Sequence, residues 1–369
     1  MTLVLVIIKS EVSYGGYLLV MRNHYPKVSV IIPARNEELF IAQCLNSLMG
    51  GTYPLTSLEV ILADGCSDDN TIAVAEQLIA KNDWPLRIIN NAKKTQVNAI
   101  NTALNCCTGD YIARIDVHCE YPPNYIERLV EYMESNDVAN VGPVIDVCPS
   151  KSNRNAVAIA LAMSSVFATG RALYRVGVKE PTLVDTVPFG FFRKDVFVRY
   201  GLFDDELVRN EDQEFNHRII RNGGKVLLVP DVRVKYFMRP TLMLLAKKWL
   251  QDGFCKPFSL SKQGGRPLAY REFVPLFFAL LLLASALLGI VGNTRYAFLP
   301  LLSLLSTYAG ATLFFSTAIL RKTHNALLLI PTVFLAFLII HVCFTLGYIN
   351  GIVQLSLLRK RLSDLPTTR

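Results

Sequence analysis

The chain has 369 residues, of which 51 % are hydrophobic and 18 % charged, with a mean hydropathy of +0.33 and a formal net charge of +8. It is too apolar for an ordinary soluble protein and far too apolar for a disordered one. Of its 68 charged residues, 60 lie in residues 1–272, where acidic and basic groups nearly balance. The globular part shows no cluster of basic residues, so nucleic acid is not an expected partner.

Residues 1–25 are expected to form an N-terminal extension. The first eight are apolar, but Lys9 and Glu11 follow, so this run is too short to span a bilayer and lacks the basic start of a signal peptide. The eight cysteines include no CxxC pair. Neither a zinc site nor a disulfide framework is indicated, and a reducing compartment is expected.

Buried-strand patterns alternate with helical patterns from residue 28 to residue 135. The strands are expected at 28–33, 58–64, 86–90 and 111–116, and the helices at 40–49, 71–81, 95–107 and 123–135. This alternation predicts an α/β domain of three layers around a mostly parallel sheet. Ligands of such sheets bind beyond the carboxyl ends of the strands, so the loops after Pro33, Asp64 and Asp116 should meet in one crevice.

After about residue 140 the alternation weakens. A stretch of small residues (156–170), a strand-like segment (185–194), a polar segment (210–224) and a second strand-like segment (225–237) follow. We expect this half to shape the site of a second substrate.

Three apolar segments lie at 273–292, 297–320 and 327–353, and each is long enough for a helical span. If all three cross, the basic loop 321–324 lies inside, but the basic residues 359–361 of the tail (354–369) lie outside, against the positive-inside rule. A re-entrant or interfacial segment would remove this conflict. Gly347, Asn350 and Gly351 mark the last segment as the irregular one, and the number of crossings stays open.

Two strand ends carry residues that suit a nucleotide or a cation. Asp64 ends one strand, and Asp116 and His118 flank a single residue at the end of another. An oxygen and a nitrogen ligand so placed suit a divalent ion such as Mn²⁺ or Mg²⁺. The alternative is that the aspartates cap helices, because Asp at such turns accepts hydrogen bonds from free backbone N–H groups.

Four motifs together carry a family resemblance. They are VSVIIPARNEE at 28–38, LEVILADGCSDDNT at 58–71, TGDYIARIDVH at 108–118 and NED at 210–212. Their order and spacing resemble the inverting family 2 glycosyltransferases with the GT-A fold, over roughly residues 26–240. Among these, the chain looks most like the membrane-attached exopolysaccharide glucosyltransferases of the succinoglycan type.

The resemblance implies a role for each matching residue on the donor side. Pro33, Arg35 and Glu37 would border the nucleoside, and Asp64 would hold the base. Asp116 would face the ribose and a divalent cation, and His118 would complete the metal site at the diphosphate. Many relatives have Asp-x-Asp there, so the histidine weakens the expectation of a tightly held hard cation. Lys94, next to Lys93, would meet phosphate or form part of a solvated surface pair.

A carboxylate must take the proton of the acceptor hydroxyl during inversion. The resemblance assigns this role to Asp212, which lies beside Glu211. Adjacent carboxylates raise one another's proton affinity, which favours a base. The alternative is that Asp212 caps a helix. Phe189 and Gly190 resemble the acceptor-side segment, or else form a buried strand.

A basic interfacial segment is expected at 241–272, where Lys248 and Trp249 would lie on the acceptor side. Its cations would meet an anionic membrane surface or the pyrophosphate of a polyprenyl-linked acceptor, or would only anchor the chain. Residues 263–267 (QGGRP) lack the tryptophan and helix propensity of the processive synthases' Gln-x-x-Arg-Trp motif, which favours addition of a single sugar.

These observations predict a transferase of the inner membrane whose catalytic domain faces the cytoplasm. It would move one sugar, glucose from UDP-glucose, to a polyprenyl-diphosphate-linked oligosaccharide in bacterial surface-polysaccharide assembly. One alternative makes polyprenyl phosphate itself the acceptor. Another is a non-catalytic scaffold that senses nucleotides at the membrane.

Overall fold

The computed structural model describes residues 5–8, 18–21, 24–170, 172–262, 273–292, 296–320 and 326–358. In the N-terminal extension, β1 (Leu5–Ile8) and β2 (Leu18–Met21) pair antiparallel. Three regions named above lie outside the described residues. They are 263–272 of the basic interfacial segment, with its QGGRP run, the loop 321–324 and residues 359–369 of the tail.

The first half of the domain consists of the alternating strands and helices that the sequence predicts. They are β3 (Val28–Ala34), α1 (Ile41–Met49), β4 (Leu58–Asp64), α2 (Thr71–Asn82), β5 (Leu86–Asn90), α3 (Gln96–Leu104), β6 (Tyr111–Arg114) and α4 (Tyr125–Ser135). The strands lie in the order β5-β4-β3-β6 and all pair in parallel. Because helices cover both faces, alternate residues of β3 enter two cores: Val30 packs with α1, and Ile31 packs with α3.

The second half extends the same sheet with mixed pairing. Its elements are β7 (Cys119–Glu120), β8 (Asn140–Pro149), α5 (Arg154–Met163), α6 (Val166–Thr169), α7 (Leu173–Val176), β9 (Thr182–Leu183), β10 (Phe191–Arg193), α8 (Asp195–Tyr200), α9 (Glu211–Arg221) and β11 (Val226–Met238). The order continues β6-β10-β8-β11-β7, with β9 on β11; β10 is antiparallel to both neighbours, and β11 is parallel to β8.

The strand-like segment 185–194 forms a strand only at β10. Phe189 adopts a left-handed backbone conformation with φ of 50°, which interrupts an extended chain just before the strand begins. The polar segment 210–224 forms helix α9, and its first turn contains Glu211 and Asp212.

Four long helices follow the sheet: α10 (Leu242–Lys262), α11 (Val274–Val291), α12 (Leu299–Leu320) and α13 (Ile330–Ile352). The last three are long and apolar enough to cross a membrane. They coincide closely with the three apolar segments of the sequence.

Helix α13 is continuous through the glycines that marked it as irregular. These glycines bring its backbone against α10: a Cβ at Gly347 would lie 2.1 Å from the Leu250 carbonyl oxygen, and one at Gly351 would lie 2.4 Å from that of Phe254. In return, a Cβ at Gly253 of α10 would lie 2.1 Å from the Phe344 carbonyl oxygen. These residues are helical throughout, and glycine here allows two helices to approach closely. Only after Ile352 does the helix widen, into a π-turn at Val353–Leu357.

The N-terminal half of α13 packs against the α/β domain as well. Val333 and Phe337 are fully buried in one apolar cluster with Ile159 and Met163 of α5, and Leu245 of α10 belongs to the same cluster. One side of α13 is therefore covered by α5 and α10 along most of its length.

Candidate active site

A single cavity of about 1900 Å³ extends from the carboxyl ends of β3 and β6 to helices α11, α12 and α13. Its lining contains most of the site residues expected from the sequence. They are Pro33, Arg35, Glu37, Lys94, Asp116, His118, Phe189, Glu211, Asp212, Lys248 and Trp249. Asp64 and Gly190 are absent from this lining.

Asp64 contacts the loop that borders the cavity. Its carboxylate accepts a hydrogen bond from the Ser67 hydroxyl at 2.6 Å and one from the Ser67 backbone N–H at 3.1 Å. The Ser67 hydroxyl oxygen accepts a bond from the Asn36 N–H at 2.9 Å, while the Asn36 side chain accepts one from the Asp68 N–H. Asp64 thereby joins the loops that follow β3 and β4, and its neighbour Gly65 lines the cavity.

His118 lies between two carboxylates. Its Nδ1 is 3.3 Å from Oδ1 of Asp116, its Nε2 is 3.1 Å from Oε2 of Glu37, and its ring packs against Phe40. Burial lowers the pKa of His118, but hydrogen bonds and charge attraction from Asp116 and Glu37 outweigh it and raise the pKa to about 10. The same contacts hold the pKa of Asp116 below its usual value although burial opposes this. This corner of the cavity therefore attracts positive charge.

The donor atoms here fit a cation that is shared with a substrate. Among the described residues, no group of three His, Cys, Asp or Glu side chains is arranged as a complete metal site. Asp116 supplies an oxygen at the cavity wall, and His118 would supply a nitrogen once a bound cation displaces a proton from its ring. Mg²⁺ and similar ions are commonly bound by one or two protein ligands together with substrate phosphates, so two donors next to an open cavity are sufficient.

Arg114 is a site residue that the sequence reading missed. It ends β6, its side chain is only 3 % exposed, and it pairs with Glu211 at 2.7 Å and with Asp212. Glu211 is buried, whereas the side chain of Asp212 is 27 % exposed and lines the cavity. Arg114 places a positive charge against both carboxylates, a contact that the two adjacent acids alone do not predict. Arg114 is a charged residue in the otherwise apolar strand YIAR, and this was the feature of the sequence that could have indicated its role.

Phe189 and Gly190 have different surroundings. Phe189 lines the cavity near Tyr236, at 6.1 Å between ring centroids. Gly190 points into the protein, where a Cβ would lie 2.3 Å from the ring of Phe192 and 2.5 Å from Oδ1 of Asn140. The glycine is therefore required by packing behind the wall, and its carbonyl accepts a hydrogen bond from the Arg114 N–H at 3.0 Å.

The wall formed by α10 is rich in charged groups. Asp252 contacts Lys248 and pairs with Arg209 at 3.0 Å. Trp249 lies next to Lys248, with the ammonium 5.3 Å from the ring centroid. Beyond them the cavity wall becomes apolar, with side chains from the three long helices; examples are Phe278, Leu282, Tyr308, Phe315 and Leu338. One continuous space thus joins a polar pocket to apolar helices.

The sequence pattern described as Glycosyl transferase family 2 matches residues 29–201. Two curated relatives cover more of the chain. A dolichyl N-acetyl-alpha-D-glucosaminyl phosphate 3-beta-D-2,3-diacetamido-2,3-dideoxy-beta-D-glucuronosyltransferase of Methanococcus voltae is 25 % identical, over 89 % of this chain and 97 % of its own length. Succinoglycan biosynthesis protein ExoA of Rhizobium meliloti is 28 % identical, over 71 % and 78 %.

A solved structure shares the fold. Mannosyltransferase PcManGT from Pyrobaculum calidifontis, in complex with GDP-Man and Mn²⁺, superposes with a TM-score of 0.54 at 18 % identity, over 89 % of this chain and 88 % of its own. The cavity lies where α/β sheets bind ligands, and several of its lining residues, such as Arg35, Glu37 and Asp116, lie in the matched region. Residues 29–201 thus match the family 2 glycosyltransferases, within a domain that has the GT-A fold and is followed by three helices apolar enough to span a membrane.

Proposed function

We propose that the protein transfers one sugar, with inversion, from a nucleotide-diphosphate sugar to a polyprenyl-diphosphate-linked oligosaccharide in bacterial exopolysaccharide or surface-polysaccharide assembly. The observation that carries this proposal is the single cavity, which has the strand-end acids at one end and apolar helices at the other. A soluble acceptor would not need the apolar end. By name, the relative from Methanococcus voltae acts on a dolichyl-linked sugar and that from Rhizobium meliloti belongs to succinoglycan biosynthesis.

The donor would bind at the polar end, within the proposed GT-A domain of residues 26–240. Pro33, Arg35 and Glu37 border the nucleoside, with Asp64 fixing the loop beside it and Lys94 near the phosphates. The Nε atom of Arg35 is buried and has no hydrogen-bond partner among the described residues, so it is available for a ligand. The proposed donor is UDP-glucose, by resemblance to the succinoglycan-type enzymes.

A divalent cation, Mn²⁺ or Mg²⁺, would be held by Asp116 and His118 at the donor diphosphate. When bound, it would stabilise the negative charge that develops on the leaving nucleoside diphosphate. Glu37 would then lose its partner on His118 if the ring turned toward the ion, and it would remain as an acceptor for the donor's hydroxyl groups.

Asp212 is the proposed catalytic base. It pairs with Arg114, lines the cavity and belongs to the first turn of α9, so its carboxylate can accept the proton of the attacking acceptor hydroxyl. Glu211 and Arg114 are positioning residues, because their contacts are buried behind Asp212. Phe189 forms the adjacent wall, and Lys248 and Trp249 line the passage to the membrane end.

The proposed location is the inner membrane, with the catalytic domain in the cytoplasm. Helices α11 and α12 have few buried residues and would cross as a hairpin. Helix α13, covered on one side by α5 and α10, would lie along the catalytic domain at the membrane face. With two crossings, the basic residues at 321–322 and 359–361 both fall on the cytoplasmic side, in agreement with the positive-inside rule.

Transfer is tested with the full chain in membranes, a panel of radiolabelled nucleotide sugars, Mn²⁺ and extracted lipid-linked acceptors. Label should enter the lipid fraction from one donor and be lost in Asp212→Asn. Asp195→Asn is the matched control, because Asp195 is also an acid in the first turn of a helix but is exposed outside the cavity. Full activity of Asp212→Asn, or equal loss in Asp195→Asn, would contradict the role of Asp212.

A further inference from the structure

The cavity contains more positive charge than the donor site accounts for. Apart from Lys93 and the residues assigned above to the donor, the cation and the base, the cavity lining contains six cationic side chains and one carboxylate, Asp252. The cations are Arg175, Arg209, Arg239, Lys247, Lys248 and Lys256. A cavity wall with such an excess binds anions, because the charges cannot all be neutralised by the protein itself.

The protein's own contacts use only part of this set. Arg209 and Lys248 contact Asp252, and Lys256 contacts Gln213. Within the described parts of the chain, Arg175, Arg239 and Lys247 have no carboxylate within ion-pair distance.

Arg175 shows this most clearly. Its Nη1 atom is buried yet has no hydrogen-bond partner among the described residues. A buried guanidinium nitrogen without a partner carries a desolvation cost, which a bound anion would remove. The Nε1 atom of Trp249, in the same cavity, is likewise buried without a partner in the described structure.

Electrostatic effects place these groups together. Burial lowers the pKa of Lys248 most, Asp252 opposes this, and the charges of Arg209 and Arg175 lower it further. Arg175 and Arg239 also both act on the pKa of Tyr236, which is raised above its usual value mainly by burial. Tyr236 is 6.5 Å from His118 between ring centroids, so these cations lie near the corner formed by His118 and Asp116.

We infer that Arg175, Arg239 and Lys247, with the Trp249 indole N–H, form a second phosphate site that binds the phosphate groups of the lipid-linked acceptor. The choice of ligand rests on the proposed function. Apolar residues of α11 and α12 line the same cavity as these cations, which suits a prenyl phosphate whose charge stays at the protein's cations while its chain lies against the two helices.

The inference is tested by binding, without turnover. The chain has two tryptophans, so a Trp84→Phe protein in nanodiscs retains only Trp249, and its fluorescence reports ligands in this part of the cavity. The probes are farnesyl diphosphate for the acceptor, inorganic pyrophosphate for phosphate alone, and UDP for the donor. Arg175→Gln and Arg239→Gln are compared with Lys179→Gln, an exposed cation outside the cavity.

Each arginine variant should weaken farnesyl diphosphate binding about tenfold or more, as expected for the loss of one charged hydrogen bond, and leave UDP binding unchanged. Retained UDP binding also shows that the variants are folded. The inference is overturned if farnesyl diphosphate binding is unaffected, or if UDP binding falls equally, which would assign the cations to the donor. It is also overturned if pyrophosphate binds as tightly as farnesyl diphosphate, since that would indicate a free-anion site.

The same experiment separates this inference from the proposed function. If arginine-dependent binding of farnesyl diphosphate is found but no sugar transfer occurs to any lipid-linked acceptor, the phosphate site stands and the proposed reaction fails. If transfer occurs and binding does not depend on the arginines, the reverse holds.

Discussion

At the scale of single residues, the site is a set of opposed charges with different degrees of burial. Arg114 is buried at the end of β6 and pairs with two carboxylates of α9, of which Asp212 is the more exposed. His118 joins Glu37 to Asp116. The same cavity therefore contains a proton acceptor and a corner that attracts cations.

Replacing Arg114 should destabilise the protein through Glu211. In Arg114→Met, the buried Glu211 loses its counter-charge, and we expect Tm to fall by about 10 °C, from a loss of about 3 kcal/mol. The double variant Arg114→Met/Glu211→Gln should recover most of this loss, because a neutral amide is left in place of an unpaired charge. Thermal unfolding in detergent measures both. Equal Tm values for the single and double variants would show that Glu211 does not depend on this pair.

Replacing His118 should weaken the binding of the metal ion specifically. In His118→Asn we expect the Mn²⁺ concentration for half-maximal nucleotide-sugar binding to rise by at least about tenfold, as a lost ligand should cost no less than a lost outer-shell contact. The control is His24→Asn, an exposed histidine outside the cavity. Calorimetric titration of donor at several Mn²⁺ concentrations provides the measurement. An unchanged Mn²⁺ requirement would remove His118 from the proposed metal site.

At the scale of elements, the sequence predicts features that depend on local pattern but not those that depend on long-range packing. The β/α units from β3 to α4 could be predicted from the spacing of apolar residues, because that spacing indicates which face of each strand or helix is buried. Arg114 and Glu211 are 97 positions apart in the sequence and form their ion pair only when β6 and α9 meet. No local sequence pattern therefore predicts this pair. The glycines of α13 resemble helix breakers until the partner helix α10 is known.

The α10–α13 contact should be sensitive to the size of one side chain. Gly347→Leu forces a side chain into the backbone of α10, and we expect a loss of about 2 kcal/mol in stability, seen as a lower Tm in detergent. Gly310→Leu in α12 is the matched control, because nothing lies within 4 Å of a Cβ there. If both variants unfold at the wild-type temperature, the close approach of the two helices is wrong.

At the scale of the whole molecule, the sheet and the membrane helices form one cavity rather than two separate parts. Helix α13 covers α5 and α10, and α11 and α12 close the apolar end beside it. The sequence predicted both regions but not their joint site, because Arg175 and Arg239 lie in segments without a regular pattern. The acceptor's lipid and its sugar would thus be held by different parts of the same molecule.

This arrangement predicts a hairpin topology with two crossings. An epitope tag after Arg369 should resist protease in spheroplasts and be cleaved in inverted vesicles, since two crossings leave the tail on the cytoplasmic side. A tag inserted in the α11–α12 connection at residue 294 should show the opposite pattern. Cleavage of the C-terminal tag in spheroplasts would instead indicate three crossings.

The most direct test of whether the acceptor is a glycosylated polyprenyl diphosphate compares two acceptors with one purified preparation of the full chain. The labelled donor identified in the panel is supplied with either a glycosylated polyprenyl diphosphate or bare polyprenyl phosphate, and the lipid products are separated. We expect label on the glycosylated acceptor alone, as a single added sugar, and no product from Asp212→Asn. Equal or greater product from bare polyprenyl phosphate would contradict the proposed transfer to a polyprenyl-diphosphate-linked oligosaccharide. It would identify the protein as a polyprenyl-phosphate glycosyltransferase.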